Sequence, residues 1–575
     1  MIERIVPAWD WLRGYRRADL AGDLSAGLVV AVMLVPQGMA YAMLAGLPPV
    51  IGLYASTVPL LAYALFGSSR QLAVGPVAMI SLIVVAQCSA IVPEVGSPGY
   101  IRVVLLLCVM VGAIQAALGL LRMGFLVNFL SHAVISGFTS AAALLIGLSQ
   151  LKHVLGIELP SQHSAFGLLR ETVRGIGGTH PATLAIGLGS IVALIALKRL
   201  LPRLPSAIAV VAVATLLTGL LRLDAQGVKI VGHVPSGFPG FSMPEWSARG
   251  IGVLLPAAFT IVFVGFLESI SIAQVIATRE KYRIDTNREL VALGMANLAA
   301  AFFSGYPVTG GLSRTAVNYQ AGARTGLAAI VTAALVLLTL LVLTPLFHFL
   351  PSAVLGAIVI VAVATLVDIK TPRRFFAVKP SDGWMLVITF LGTLSLGVEH
   401  GVLLGVVLSL LLFIWRSAHP HTAELGYVQD QGIFRNVKRF PGAKTFPEAL
   451  IVRVDASLYF ANMSFLEDWL RRHVHERPTV KWVLMEMSGV NDIDGVAIEA
   501  LERLMEGYRE RGVEFAFADI KGPVRDLVAR AGWRERYGKR IGYVSVELAL
   551  RDLGIQKAGS EEGIPRAALP SGEPS

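Results

Sequence analysis

Apolar runs fill most of the chain between about residues 19 and 417, and two of them are broken by glycine and proline at matching places. The first break reads Val74-Gly75-Pro76-Val77-Ala78. The second reads Ser304-Gly305-Tyr306-Pro307-Val308-Thr309-Gly310-Gly311-Leu312-Ser313-Arg314 and sets Pro307-Val308 231 residues after Pro76-Val77. Lipid offers no hydrogen bond to an unpaired backbone, so broken segments survive at membrane depth only where protein buries them or where they line a cavity. A helix starting at such a break turns unpaired N–H groups and a partial charge of about +0.5 inward. Two such starts facing each other make an anion site near the bilayer midplane.

With 55% hydrophobic and 15% charged residues in 575, and a mean hydropathy of +0.66, the chain is too apolar for a soluble protein of its size and reads as an α-helical polytopic membrane protein. About twelve to fourteen spans of roughly 20 apolar residues fit, the range coming from the two broken segments, and the expected number is fourteen. The first 23 residues carry Glu3, Arg4, Asp10, Arg13, Arg16, Arg17, Asp19 and Asp23, so no secretory apolar region precedes the first span and the N-terminus is expected in the cytoplasm.

The formal charge of +10 does not point to nucleic acid, because the basic residues cluster between spans. Arg13/Arg16/Arg17, Arg122, Lys198/Arg199/Arg203, Arg279/Lys281/Arg283, Lys370/Arg373/Arg374 and Arg416 all fall on the expected cytoplasmic side; Arg222 and Lys229 fall outside. Cys88 and Cys108 sit in apolar runs without metal-type spacing and read as packing residues. No cofactor is expected.

Asn128-Phe-Leu-Ser-His-Ala-Val-Ile-Ser-Gly137 and His348-Phe-Leu-Pro-Ser-Ala-Val-Leu-Gly-Ala357 share Phe-Leu and Ala-Val at an offset of 220 residues. Joined with the offset of the breaks, this points to two seven-span units. An odd number of spans makes the second unit enter from the opposite side, an inverted repeat of the secondary-transporter kind. After Trp415-Arg416 charged residues become frequent. Strand-like runs at 449–454, 482–487 and 513–518 alternate with amphipathic stretches at 463–475 and 496–510, an α/β unit. The expected domains are an N-terminal segment 1–18, a transmembrane domain 19–418, a cytoplasmic α/β domain 419–557 and a disordered tail 558–575.

Gly27 to Tyr54, with Pro36-Gln37-Gly38, Tyr41, Gly46, Pro48-Pro49 and Gly52, resembles the sulfate permease (SulP) family of anion transporters. So do Gly67-Ser-Ser-Arg70 with Val74-Gly-Pro76, and Ser313-Arg314-Thr315-Ala-Val-Asn318. The C-terminal unit resembles a STAS domain. The resemblance implies fourteen spans as two inverted seven-span repeats, a core moving against a gate, and a homodimer in the inner (plasma) membrane with both termini cytoplasmic. It places the anion on Gln37 and Tyr41, on Val77 and Ala78 opening the third span, and on Ser313 and Arg314 opening the tenth. Backbone N–H groups, the Ser313 hydroxyl and the Gln37 amide can donate to anion oxygens, Tyr41 offers a hydroxyl or ring wall, and Arg314 supplies charge. The plain alternatives are a Gln37 repairing the helix broken at Pro36, a Tyr41 packed in the core and a Ser313 capping its helix.

Glu268 is the one ionisable side chain between Ile251 and Ala277, where an unpaired carboxylate costs about 3 kcal/mol. An acid able to take up a proton beside an anion site is a natural coupling device, and proton-coupled members of the family resemble this chain in carrying Glu here. Ser269 and Ser271 suit either a coupling or a structural Glu268. Asn318 is expected in an interhelical hydrogen bond, while His132 and Glu399, at span ends, are assigned no role. In the STAS-like unit the family's Asp-Ser-Ser/Thr-Gly loop reads Asn491-Asp492-Ile493-Asp494-Gly495; Asp492 and Gly495 match, but no hydroxyl is present to accept phosphate. Asp494 is expected to cap a helix or to mimic the phosphorylated charge, in a domain that docks a cytoplasmic protein and stabilises a dimer.

The resulting expectation is a secondary transporter, not an enzyme, importing an inorganic oxyanion, sulfate first, with protons by alternating access. Its partners are the anion, protons and membrane lipid. Rival readings are a bicarbonate or C4-dicarboxylate transporter, an uncoupled uniporter or exchanger, and a membrane sensor acting through the STAS domain.

Overall fold

A computed structural model describes residues 8–125, 131–159, 162, 164–201, 206–245 and 248–555. The expected N-terminal segment is described only from residue 8. Of the internal repeat, 128–130 lie outside the described residues, as does the whole of the expected tail 558–575. Contacts divide the chain into two units, one ending at Ser409 and one beginning at Leu410.

The first unit is helical. Among the described residues, seven helices are long and apolar enough to cross a membrane, and four shorter apolar ones accompany them. The elements that position the site are α1 (Arg17–Leu44), α2 (Val58–Phe66), β1 (Val74–Gly75), α3 (Ala78–Ile91), α4 (Pro98–Leu120) and α5 (His132–Ser149). They continue with α6 (Ala248–Arg279), α7 (Thr286–Phe302), β2 (Thr309–Gly310), α8 (Leu312–Gln320), α9 (Leu327–Leu338), α10 (Ser352–Ala364) and α11 (Pro380–Leu396). Residues 1–409 therefore hold two strands of two residues each among their described residues, and both come from the sequence breaks.

Helices in an apolar medium gain nothing from burying more apolar surface, so they associate by close packing of small residues. A Cβ at Gly112 of α4 would lie 2.7 Å from the Leu298 backbone nitrogen of α7, and one at Gly294 of α7 would lie 2.6 Å from that of Ala116. The two helices touch backbone to backbone. Cys88 and Cys108 are both buried, and the Cys108 thiol donates to the Asn297 carbonyl at 3.2 Å.

Two buried carboxylates pin the loops around the breaks. Glu289, in the first turn of α7 and 1% exposed, accepts from the Tyr63 hydroxyl at 2.6 Å and the Ser68 and Ser69 N–H groups at 2.7 and 2.8 Å. The Ser68 hydroxyl adds a fourth bond at 2.7 Å. Asp23 of α1 accepts from the Arg324 and Thr325 N–H groups at 2.7 and 3.0 Å and from the Thr325 hydroxyl at 2.6 Å.

The second unit carries a five-stranded sheet of order β4-β3-β5-β6-β7, with β3 (Thr422–Val428), β4 (Ile433–Asn436), β5 (Ala449–Val454), β6 (Trp482–Glu486) and β7 (Glu514–Ala518). β5, β6 and β7 run parallel; β3 is antiparallel to β4 and β5. Side chains alternate across the sheet. Leu450, Val452, Val483, Met485, Phe515 and Phe517 pack with α12 (Met463–His475) and α13 (Gly495–Arg509), whereas Ile451, Leu484, Ala516 and Ala518 face α14 (Val546–Asp552). The three parallel strands and both large helices lie where the sequence pattern puts them; β3 and β4 are additions. β4 is four residues long, too short for an alternating pattern to register.

Gly112→Leu is expected to destabilise the protein by about 1–3 kcal/mol through overpacking. Gly177→Ala, where a Cβ meets nothing within 4 Å, should leave stability unchanged. Thermal unfolding of the purified full chain in detergent distinguishes the two.

Candidate functional site

The two breaks pair with each other. Val74 faces Gly310 and Gly75 faces Thr309 in an antiparallel pair, and the Gly311 N–H extends it to the Ala73 carbonyl at 3.0 Å. Backbone that proline and glycine remove from helices is thus satisfied by another break rather than by solvent. From this pair two helices begin: α3, with Val77 in extended conformation before it, and α8, with Gly311 before it. Neither start has a side-chain cap, in contrast to α4 and α7, capped by Ser97 and Asp285. The leading N–H groups of both helices are left for another acceptor.

Arg314 lies in the first turn of α8 and is 2% exposed. Its Nη1 donates to the Pro76 carbonyl at 2.6 Å, tying α8 to the start of α3, while Nε and Nη2 are enclosed without hydrogen-bond partners. A Cβ at Gly311 would lie 2.7 Å from Nη2, so any side chain there would displace the guanidinium group. Tyr41 of α1, Glu268 of α6 and Arg314 interact electrostatically with one another, and Tyr306 lies within the same field of Arg314. No direct ion pair joins Glu268 to Arg314 among the described residues. Glu268 is half-buried, with Oε2 enclosed and unpartnered, as is Oε1 of the buried Gln37. Buried polar atoms are nearly all paired in folded proteins, so this concentration marks a place built for something other than stability.

The structure brings Tyr41, Glu268 and Arg314 together, sets Val77 and Ala78 at the opening of α3, and places Ser313 exposed in the first turn of α8. Ser313 does not cap its helix; Gly311 occupies that position. Asn318 departs from the expected interhelical bond. Its Nδ2 donates at 2.8 Å to the Gln71 carbonyl, because the non-helical stretch before β1 offers a free acceptor that a neighbouring helix does not. Both serines beside Glu268 bond back to their own helix, Ser271 to Leu267 and Ser269 to Gly265, and Ser269 in addition accepts from the Gly310 N–H at 2.8 Å. α6 thereby holds β2 as well as Glu268.

Residues that sequence reasoning passed over complete the support. Asn297, fully buried in α7, accepts from the Val308 N–H at 2.7 Å and donates to the Val308 carbonyl at 3.0 Å and to Gln115 at 2.9 Å. The Tyr306 hydroxyl meets Ser81 of α3 at 3.1 Å, and Thr315 accepts from the Ala73 N–H at 3.0 Å. The available signal was an Asn among the alanines of the second half of α7.

In the second unit, Asp494 caps α13 through the Ala497 N–H at 2.7 Å, and its other oxygen accepts from the Phe460 N–H at 3.1 Å. Asp492 accepts from the Ile493 N–H at 2.9 Å, and Gly495 opens the helix with open space around it. Among the described residues no cluster of side chains suits a metal ion.

Residues 20–389 match the sulfate permease family, and residues 441–540 match the STAS domain. The chain is 40% identical over 568 residues to "Probable sulfate transporter 4.2" of Arabidopsis thaliana, covering 96% of this chain and 84% of that one. It is 38% identical over 568 residues to "Sulfate transporter 4.1, chloroplastic" of the same plant, covering 96% and 82%. Its fold is similar to that of the murine Solute Carrier 26 family member A9 anion transporter in the inward-facing state. That likeness has a TM-score of 0.86 and 29% identity, over 93% of this chain and 91% of that one.

Asn297→Leu should orphan both polar groups of Val308 at about 1–3 kcal/mol each. The expected result is a clear fall in the thermal midpoint of the purified protein, larger than for an Asn-to-Leu change at an exposed position.

Proposed function

The chain belongs to the sulfate permease family, with a STAS domain behind its helical membrane transporter fold, and on that footing we propose that it imports a small inorganic oxyanion, sulfate first, by proton-coupled symport with alternating access. The observation that carries the proposal is the pairing of the two breaks, which sets two uncapped helix starts beside a buried arginine. Anion oxygens would accept from the N–H groups at Val77, Ala78 and the start of α8, from the Ser313 hydroxyl and from the Gln37 amide. Tyr41 walls the site and Arg314 balances charge. The relatives' names support sulfate as the first candidate.

Fourteen spans follow if the seven long and four shorter apolar helices are joined by α7, α8 and α11, with α3 and α8 as half-helices at equivalent places of two inverted repeats. In this reading the helices around β1 and β2 form the core and move against a gate containing α5 and α10. We further infer a homodimer in a bounding membrane with both termini in the cytoplasm, the STAS domain docking its partners.

Glu268 is the proposed coupling acid. A proton on its carboxyl cancels one negative charge near the site as the anion enters, and its release on the other side lets the carrier return. Arg314 nearby makes the two events interdependent.

The test is uptake of radiolabelled sulfate into proteoliposomes under an inward proton gradient. Native protein should accumulate sulfate above equilibrium. Glu268→Gln should lose that accumulation yet still exchange labelled for unlabelled sulfate. Accumulation by the variant at the native level would end the coupling role, and sulfate exclusion with bicarbonate or dicarboxylate entry would change the substrate. Arg314→Lys keeps a charge but loses the guanidinium fork, and should lower transport efficiency about tenfold or more.

A further inference from the structure

A second concentration of charge lies away from the transport site. A cavity of about 590 Å³ in the first unit is lined by Arg16, Arg70, Arg283, Arg288 and Arg324, against the two acids Asp19 and Glu280. The arginines come from four separate places: the approach to α1, the stretch between α2 and β1, the α6–α7 connection with the first turn of α7, and the segment after α8.

Nearby acids pair with only two of them. Arg324 meets Glu280 at 3.7 Å and Arg288 meets Asp285 at 3.4 Å, while Arg70 lies 5.1 Å over the Tyr282 ring. Among the described residues no ion pair is formed by Arg16, Arg70 or Arg283. Five guanidinium groups around one cavity repel each other, and an anion of more than one oxygen is the natural counter-charge.

The surroundings specify what carries that anion. Trp11, an interface-type aromatic, lines the cavity. Directly after the lining residue Asp19, α1 exposes Leu20, Leu24 and Leu28 at four-residue spacing, and Leu61 and Leu65 are exposed beside the lining residue Ala64 of α2. Basic pockets between membrane helices, flanked by apolar surface, suit lipid head groups. We propose that this cavity holds the phosphate of an anionic phospholipid head group, with the acyl chains along the exposed leucines. The bound head group bridges the loops fixed by Glu289 and Asp23, the same loops that lead into β1 and out of α8.

The experiment is a binding titration of the purified full chain in detergent, read by native mass spectrometry, with phosphatidylglycerol, phosphatidylcholine and soluble glycerol 3-phosphate as three separate arms. Phosphatidylglycerol is expected to bind in preference to phosphatidylcholine. Arg16→Gln with Arg283→Gln should weaken it about thirtyfold, roughly fivefold for each charge, and Arg16→Lys with Arg283→Lys should retain most of the affinity. Arg222→Gln, outside the cavity, should bind as the native chain does. Equal binding of both lipids, or undiminished binding by the double Gln variant, overturns the site. Glycerol 3-phosphate binding as tightly as the lipid overturns the lipid assignment in favour of a soluble phosphate. No arm depends on transport, so the result stands apart from the symport reading.

Discussion

Everything at the candidate site depends on one backbone pairing, Val74-Gly75 against Thr309-Gly310. Proline and glycine remove helix from two apolar segments, and apolar surroundings leave the freed N–H and C=O groups nothing to bond except protein. By pairing with each other, the breaks satisfy part of that backbone and leave the uncapped starts of α3 and α8 joined through Arg314, whose Nη1 bonds the Pro76 carbonyl. The anion site proposed for this chain is therefore built from backbone that the fold has to accommodate in any case.

That pairing is itself held from outside. Asn297 bonds both polar groups of Val308, Ser269 takes the Gly310 N–H, and Thr315 takes the Ala73 N–H. Farther out, Glu289 and Asp23 gather three or four donors each from the loops on either side. Each is a buried carboxylate with its lone pairs occupied, a group expensive to bury alone and stiffening when satisfied. Helices that touch through Gly112 and Gly294 carry this rigidity across the unit. Rigid support of this kind suits a carrier in which a few polar atoms must stay aimed while larger bodies move.

Four of the unpartnered atoms fall where the support ends. Gln37 Oε1, Glu268 Oε2 and two nitrogens of Arg314 are enclosed without hydrogen bonds, while Asn297, Ser269 and Thr315 behind them are paired. A fold that satisfies Asn297 three times over and leaves Arg314 two-thirds unsatisfied is spending its polar groups unevenly, and unevenness of this kind is expected at sites that bind.

From sequence alone the chain was legible as a polytopic helical protein with an α/β unit behind it, because hydropathy and periodicity are local properties that need no partner to be read. The breaks around Pro76 and Pro307, the isolated Glu268 and Arg314, and the strand-like runs at 449–454, 482–487 and 513–518 all belong to that class. Which groups meet was decided only by tertiary structure. Val74 and Gly310 pair across more than two hundred residues, Asn318 bonds a loop carbonyl rather than a helix, and Asp23 and Asn297 earn their places through partners that no local pattern announces. Sequence lists the donors and acceptors, but the choice among them is made by packing, since a hydrogen bond in an apolar interior goes to whichever group the helices bring within 3 Å.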